Sequence, residues 1–110
     1  MDKDVKIAVL GGGSWATAIV KMLTENKAVV GWYMRNETAV EHIKENFHNP
    51  NYIQSVEFNI NNLDLSTDIN TTVGNYNILI FAIPSAFLTK ELEKLSISLE
   101  NKIIFSAIKG

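Results

Sequence analysis

A chain of 110 residues, 46% hydrophobic and 20% charged, has the size and apolar content of one globular unit. A net charge of −2 gives no electrostatic footing for nucleic acid or an anionic membrane, and the absence of cysteine excludes disulfides and thiolate chemistry. His42 and His48 lack carboxylate partners at ligand spacing, so no metal site is expected. The charged start Met1-Asp2-Lys3-Asp4 precedes a short apolar run that ends in glycines. That is the pattern of neither a secretory leader nor a membrane span, and a cytoplasmic protein is the expectation.

Val5 to Leu10 is almost continuously apolar, as a buried parallel strand should be. It runs straight into Gly11-Gly12-Gly13-Ser14-Trp15-Ala16. The spacing Gly11-x-Gly13-x-x-Ala16 between a strand and a helix is the dinucleotide-binding fingerprint in its alanine-terminated form. Gly11 permits the tight turn, Gly13 lets a pyrophosphate approach the backbone, and Ala16 lets the helix pack closely on the strand. The N–H groups at the helix start, with the positive end of its dipole, suit phosphate oxygens. The helical stripe then runs through Trp15, Ala16, Ile19, Val20 and Leu23 and ends near Asn26.

Ala28 to Met34 reads as the second strand. Asn36 or Thr38 can cap the next helix, Thr38-x-x-Glu41 having the capping-box form, with Val40, Ile43 and Phe47 on its inner face. His48 to Asn62 has no period and reads as a long loop, followed by a short third strand from Leu63 to Ser66. Asp68 to Tyr76 is poor in strong helix formers and holds a turn or two of helix at most. Asn77 to Ile83 is a central strand by its unbroken hydrophobicity; Pro84 starts a helix whose Leu88, Leu92 and Leu95 face inward; Lys102 to Ala107 is the fifth strand.

This alternation implies a three-layer α/β fold, a Rossmann-type doubly wound parallel sheet serving as one dinucleotide-binding domain over residues 1–110. Ligands of such sheets bind at the carboxyl ends of the strands, where strand order reverses. Four groups fall on that edge: the glycine turn, Arg35, Pro84-Ser85 and Lys109. Arg35 stands about twenty residues past the fingerprint, where NAD-selective domains place an acid for the ribose 2′-hydroxyl. A guanidinium there can grip a 2′-phosphate, so NADPH, alongside NADH, is the expected cofactor.

Five ordered segments carry a family resemblance: Gly11 to Ala18, Trp32-Tyr33-Met34-Arg35-Asn36, Asn49-Pro50-Asn51-Tyr52, Phe81-Ala82-Ile83-Pro84-Ser85 and Ser106-Ala107-Ile108-Lys109-Gly110. Together they resemble the amino-terminal domain of the bacterial soluble NAD(P)-dependent glycerol-3-phosphate dehydrogenases. Ala16, where the family usually has Gly, and Ile53-Gln54, where it usually has Leu-Pro, depart from the pattern. The resemblance implies hydride transfer between sn-glycerol 3-phosphate and dihydroxyacetone phosphate, a step in glycerophospholipid synthesis. It also implies a second, helical domain holding the proton-transferring lysine, so no catalytic residue is expected within these 110 residues and the chain alone is expected to be inactive. Ending after Lys109-Gly110 has the look of a domain boundary.

By the same resemblance Ser14, Trp15, Asn36, Tyr52, Pro84 and Phe87 join Gly11, Gly13 and Arg35 as cofactor contacts, with Phe87 near the nicotinamide half and Tyr52 over the adenine side. Lys109 is the expected contact to both substrate and cofactor, placed to attract an anionic substrate and polarise its carbonyl. The plainer readings are core packing for Trp15 and Phe87 and a solvated charge for Arg35 and Lys109. The resemblance leaves room for a homodimer of the full-length protein. Two other functions stay open at this level: a different two-domain hydroxyacid or sugar-nucleotide dehydrogenase, and a nucleotide-sensing module without chemistry.

Overall fold

A computed structural model describes residues 6–25, 29–46 and 62–107. Strands β1 (Ile7–Leu10), β2 (Val30–Tyr33), β3 (Leu63–Ser66), β4 (Ile78–Phe81) and β5 (Ile103–Ser106) alternate with helices α1 (Ser14–Thr24), α2 (Glu37–Asn46), α3 (Ile69–Asn75) and α4 (Ser85–Glu93). The strands form one sheet in the order β3-β2-β1-β4-β5, and every neighbouring pair is parallel. β1 lies at the centre, with Val9 level with Trp32 on one side and Ile80 on the other. The chain winds outward from β1 through β2 to β3, then returns to the far side of β1 for β4 and β5. Strand order therefore reverses between β1 and β4.

Successive side chains of a strand point to opposite faces, and the two faces bury different helices. Val9, Trp32 and Met34 pack with Val20 of α1 and Val40 and Ile43 of α2. Ala8, Leu10, Leu79 and Phe81 pack with Ile69 and Val73 of α3 and the partly buried Leu88 beyond it. The doubly wound, three-layer expectation holds. Tyr76 closes the lower part of the second layer: it is buried, its hydroxyl donates to Asp64 Oδ2 at 2.7 Å, and its carbonyl accepts from Lys102 Nζ at 2.8 Å.

The strands are shorter than their apolar runs because pairing, not hydrophobicity, sets their ends. Val29, expected within β2, is exposed, and α1 stops at Thr24 rather than Asn26. Asn36, not Thr38, caps α2: its Oδ1 accepts the Ala39 N–H at 3.1 Å, leaving Thr38 inside the helix. Pro84 sits at the N-cap of α4, one residue before the position expected for it. Leu92, expected to face inward, is exposed, and Glu91 is buried in its place. Phe47, His48, Tyr52, Lys109 and most of the expected long loop lie outside the described residues. Among the described residues no helix is long and apolar enough to cross a membrane.

Candidate functional site

At the carboxyl end of β1 the glycines do three different jobs. The Gly11 N–H donates to the Tyr33 carbonyl at 2.9 Å, and the Gly11 carbonyl accepts from the Trp32 indole Nε1 at 2.6 Å, so β2 holds the turn from both sides. Gly11 has φ +135°, and a Cβ there would stand 2.5 Å from the Ala82 carbonyl oxygen at the end of β4. Only glycine fits. At Gly12 an added Cβ would meet the Met34 side chain at 3.3 Å. At Gly13 it would meet no protein atom within 4 Å. The space beside Gly13 is thus open to a ligand rather than filled by packing, which is what a close phosphate approach requires.

Gly13 is also the N-cap of α1, and its carbonyl accepts both the N–H and the hydroxyl of Thr17, at 2.9 and 2.7 Å. No side chain caps this helix start, and its first turn carries no acid that would repel an anion. Ser14 and Trp15 are its first two residues, and both side chains are exposed. Trp15 at 56% exposure belongs neither to the core nor to the apolar stripe expected of α1. Ala16 is fully buried, as close packing of helix on strand demands.

The glycines form the floor of a cleft of about 250 Å³ walled by the ends of β2 and β4 and by α4. Sites that enclose a whole drug-sized ligand measure about 300–1,000 Å³, so this cleft suits one end of a dinucleotide rather than all of it. Gly11, Gly13, Arg35, Asn36, Pro84 and Phe87, singled out from sequence, all line it. Ser14 and Trp15 do not, and Tyr52 and Lys109 lie outside the described residues. Asn36 uses its Oδ1 in the α2 cap, and its amide nitrogen is a donor it can offer a ligand.

Arg35 and Phe87 meet across the mouth, the guanidinium carbon 4.9 Å from the ring centroid, within cation–π range. The two residues expected at opposite ends of the cofactor, Arg35 at the 2′-phosphate and Phe87 near the nicotinamide, thus stand in contact at one cleft.

The cleft also contains residues that sequence reasoning missed, above all Glu91 and Tyr33. Glu91 is 3% exposed. Its carboxylate accepts a short hydrogen bond from the Tyr33 hydroxyl and is bridged by Lys94 Nζ at 3.1 and 3.2 Å. Burial, the hydrogen bond to Glu91 and the Glu91 charge hold the Tyr33 hydroxyl protonated far above the ordinary tyrosine range, against a smaller opposing pull from Arg35. One signal was available: Glu91 follows Phe87 by four residues, which puts both on one face of a helix.

The pattern described as the NAD-dependent glycerol-3-phosphate dehydrogenase N-terminus matches residues 6–110. The chain belongs to that family. Among curated relatives, the NAD(P)+ glycerol-3-phosphate dehydrogenase of Pseudomonas aeruginosa is 36% identical over all of this chain and 32% of its own length. That of Limosilactobacillus reuteri is 34% identical over 96% of this chain and 32% of its own. A solved glycerol-3-phosphate dehydrogenase from Saccharomyces cerevisiae superposes with a TM-score of 0.86 at 25% identity, over 98% of this chain and 34% of the other. A reductive aminase from Aspergillus terreus, solved with NADPH, shares the fold alone, at a TM-score of 0.70 and 18% identity. The chain spans about a third of the length of the curated relatives it matches. The family is NAD(P)-dependent, which fits a glycine turn open at Gly13 and a helix start without an acid.

Proposed function

We propose that this chain is the cofactor-holding part of a glycerol-3-phosphate dehydrogenase that interconverts sn-glycerol 3-phosphate and dihydroxyacetone phosphate. The observation that carries the reading is the open space at Gly13, beside a helix start free of acid, at the point where strand order reverses. A bound NADH or NADPH would supply the hydride. The chain's own part is to bind and orient. Gly13 and the N–H groups of the first α1 turn receive the pyrophosphate, and Gly11, pinned by Tyr33 and Trp32, keeps the turn rigid. Arg35 is the cation for a 2′-phosphate, and Lys109 is the cation for the substrate. A supply of glycerol 3-phosphate to glycerophospholipid synthesis is the matching physiological role.

Gly13→Val tests this reading. The added Cβ enters space with no packed protein atom within 4 Å, so the thermal midpoint should hold while NADH and NADPH binding are both lost. Retained affinity in a folded variant would make the glycine turn purely structural. Arg35→Ala should weaken NADPH by about ten- to hundredfold, the scale of a hydrogen bond to a charged group, and leave NADH little changed.

A further inference from the structure

Glu91 is an unusual choice for its position. α4 buries this carboxylate at 3% exposure while leaving Phe87 and Leu92 exposed at 43% and 36%, the reverse of what packing alone favours. Burying a carboxylate carries a desolvation cost that its partners must offset. Breaks of this kind with local rules concentrate where a residue serves a site. Glu91 also lines the cleft, and no other acid among the described residues does so.

Its place in space matters more than its place in the chain. In NAD-selective folds an acid at the end of the second strand accepts the ribose 2′-hydroxyl. Here β2 ends at Tyr33, and Met34 and Arg35 follow it, with no acid among the three. Glu91 comes from the opposite layer and is held by the hydroxyl of Tyr33, the last residue of β2. The carboxylate missing at that strand end is thus delivered to it by α4. Tyr33 and Lys94 account for three of about four acceptor sites on the two oxygens, which leaves capacity for one more donor. Arg35 stacks on Phe87, one helical turn before Glu91, so a cation and an anion flank the same cleft.

We propose that Glu91 accepts a ribose hydroxyl of the dinucleotide and opposes Arg35 in setting cofactor selectivity. The carboxylate favours the 2′-hydroxyl of NADH, which can donate to it, and repels the 2′-phosphate of NADPH, which cannot. Arg35 does the converse. The pair makes one cleft serve both cofactors, where either residue alone would commit it to one. The inference rests on the dinucleotide reading of the site.

The test titrates NADH and NADPH separately into the wild-type protein and into Glu91→Gln and Lys94→Met. Glu91→Gln keeps the shape and an acceptor for the Tyr33 hydroxyl but removes the charge. It should weaken NADH by about tenfold and leave NADPH equal or tighter, moving the affinity ratio toward NADPH by tenfold or more. Lys94→Met leaves the carboxylate charge less compensated and should move the ratio toward NADH. Lys94 is about half exposed, so this arm survives even if Glu91→Gln does not fold. Equal loss of both cofactors, or a ratio unmoved in both variants, would make Glu91 a structural group and overturn the inference. A wild-type protein that binds neither cofactor would bring down the dinucleotide reading itself.

Discussion

β1 and β5 are both four-residue apolar strands of one parallel sheet, yet Ala8, Val9 and Leu10 are fully buried while all of β5 is exposed. Composition does not separate them. β1 has a strand on each side and helices over both faces, whereas among the described residues β5 pairs with β4 alone, with Ile103 and Phe105 at 57% and 56% exposure. Apolar, β-branched residues made both segments strands; position in the sheet decided which of them carries stability. The site follows the same division, because the glycine turn grows from the buried strand and not from the edge.

The contrast can be broken most sharply at Leu79, which is fully buried in β4. Leu79→Ala should cost about 2–5 kcal/mol, read from the denaturant midpoint at an unchanged slope. Gly11→Ala comes next. The methyl would press on the Ala82 carbonyl in a backbone region that side chains avoid, so about 1–3 kcal/mol should be lost, together with cofactor binding. Gly13→Val two residues later should leave stability in place, which separates a glycine needed by the fold from one needed by the ligand.

Alkaline pH probes the second layer. Burial and a hydrogen bond to a carboxylate raise the pKa of both Tyr33 and Tyr76, through Glu91 and Asp64 respectively. Above about pH 10, the ordinary tyrosine value, the unfolded chain releases protons that the folded chain keeps. Their contribution is therefore complete below that pH and declines above it. Melting curves should show stability falling beyond pH 10, and Tyr76→Phe should make that fall shallower. The smallest effect belongs to the edge. Phe105→Ser should stay within about 0.5 kcal/mol of wild type. A loss approaching that of Leu79→Ala would show that another part of the protein covers β5.

The sheet was legible because β1, β4 and β5 are nearly continuous apolar runs, and the glycine turn because steric need fixes its residue types. β3 was located to the residue from four positions, Leu63 to Ser66. What could not be read was which edge of a stripe meets solvent. Trp15 and Leu92 both fit a helical period, but α1 and α4 present those positions outward. Glu91 was hidden for the same reason: a charge on a helix reads as solvated until a partner 58 residues away in the chain, Tyr33, is brought against it. The Arg35–Phe87 contact joins residues 52 apart, and no local spacing announces it.

The bond from the Trp32 indole to the Gly11 carbonyl also makes the protein its own optical reporter. The chain has two tryptophans, and they are in opposite surroundings: Trp32 is fully buried and tied to the turn, while Trp15 stands in solvent at the start of α1. Their emission should divide into a blue-shifted component from Trp32 and a red-shifted, readily quenched one from Trp15. The buried indole is hydrogen-bonded to the glycine turn, so its spectrum should respond to changes in the turn. A reduced nicotinamide absorbs where tryptophan emits, and occupancy of the cleft can be followed by energy transfer without any label.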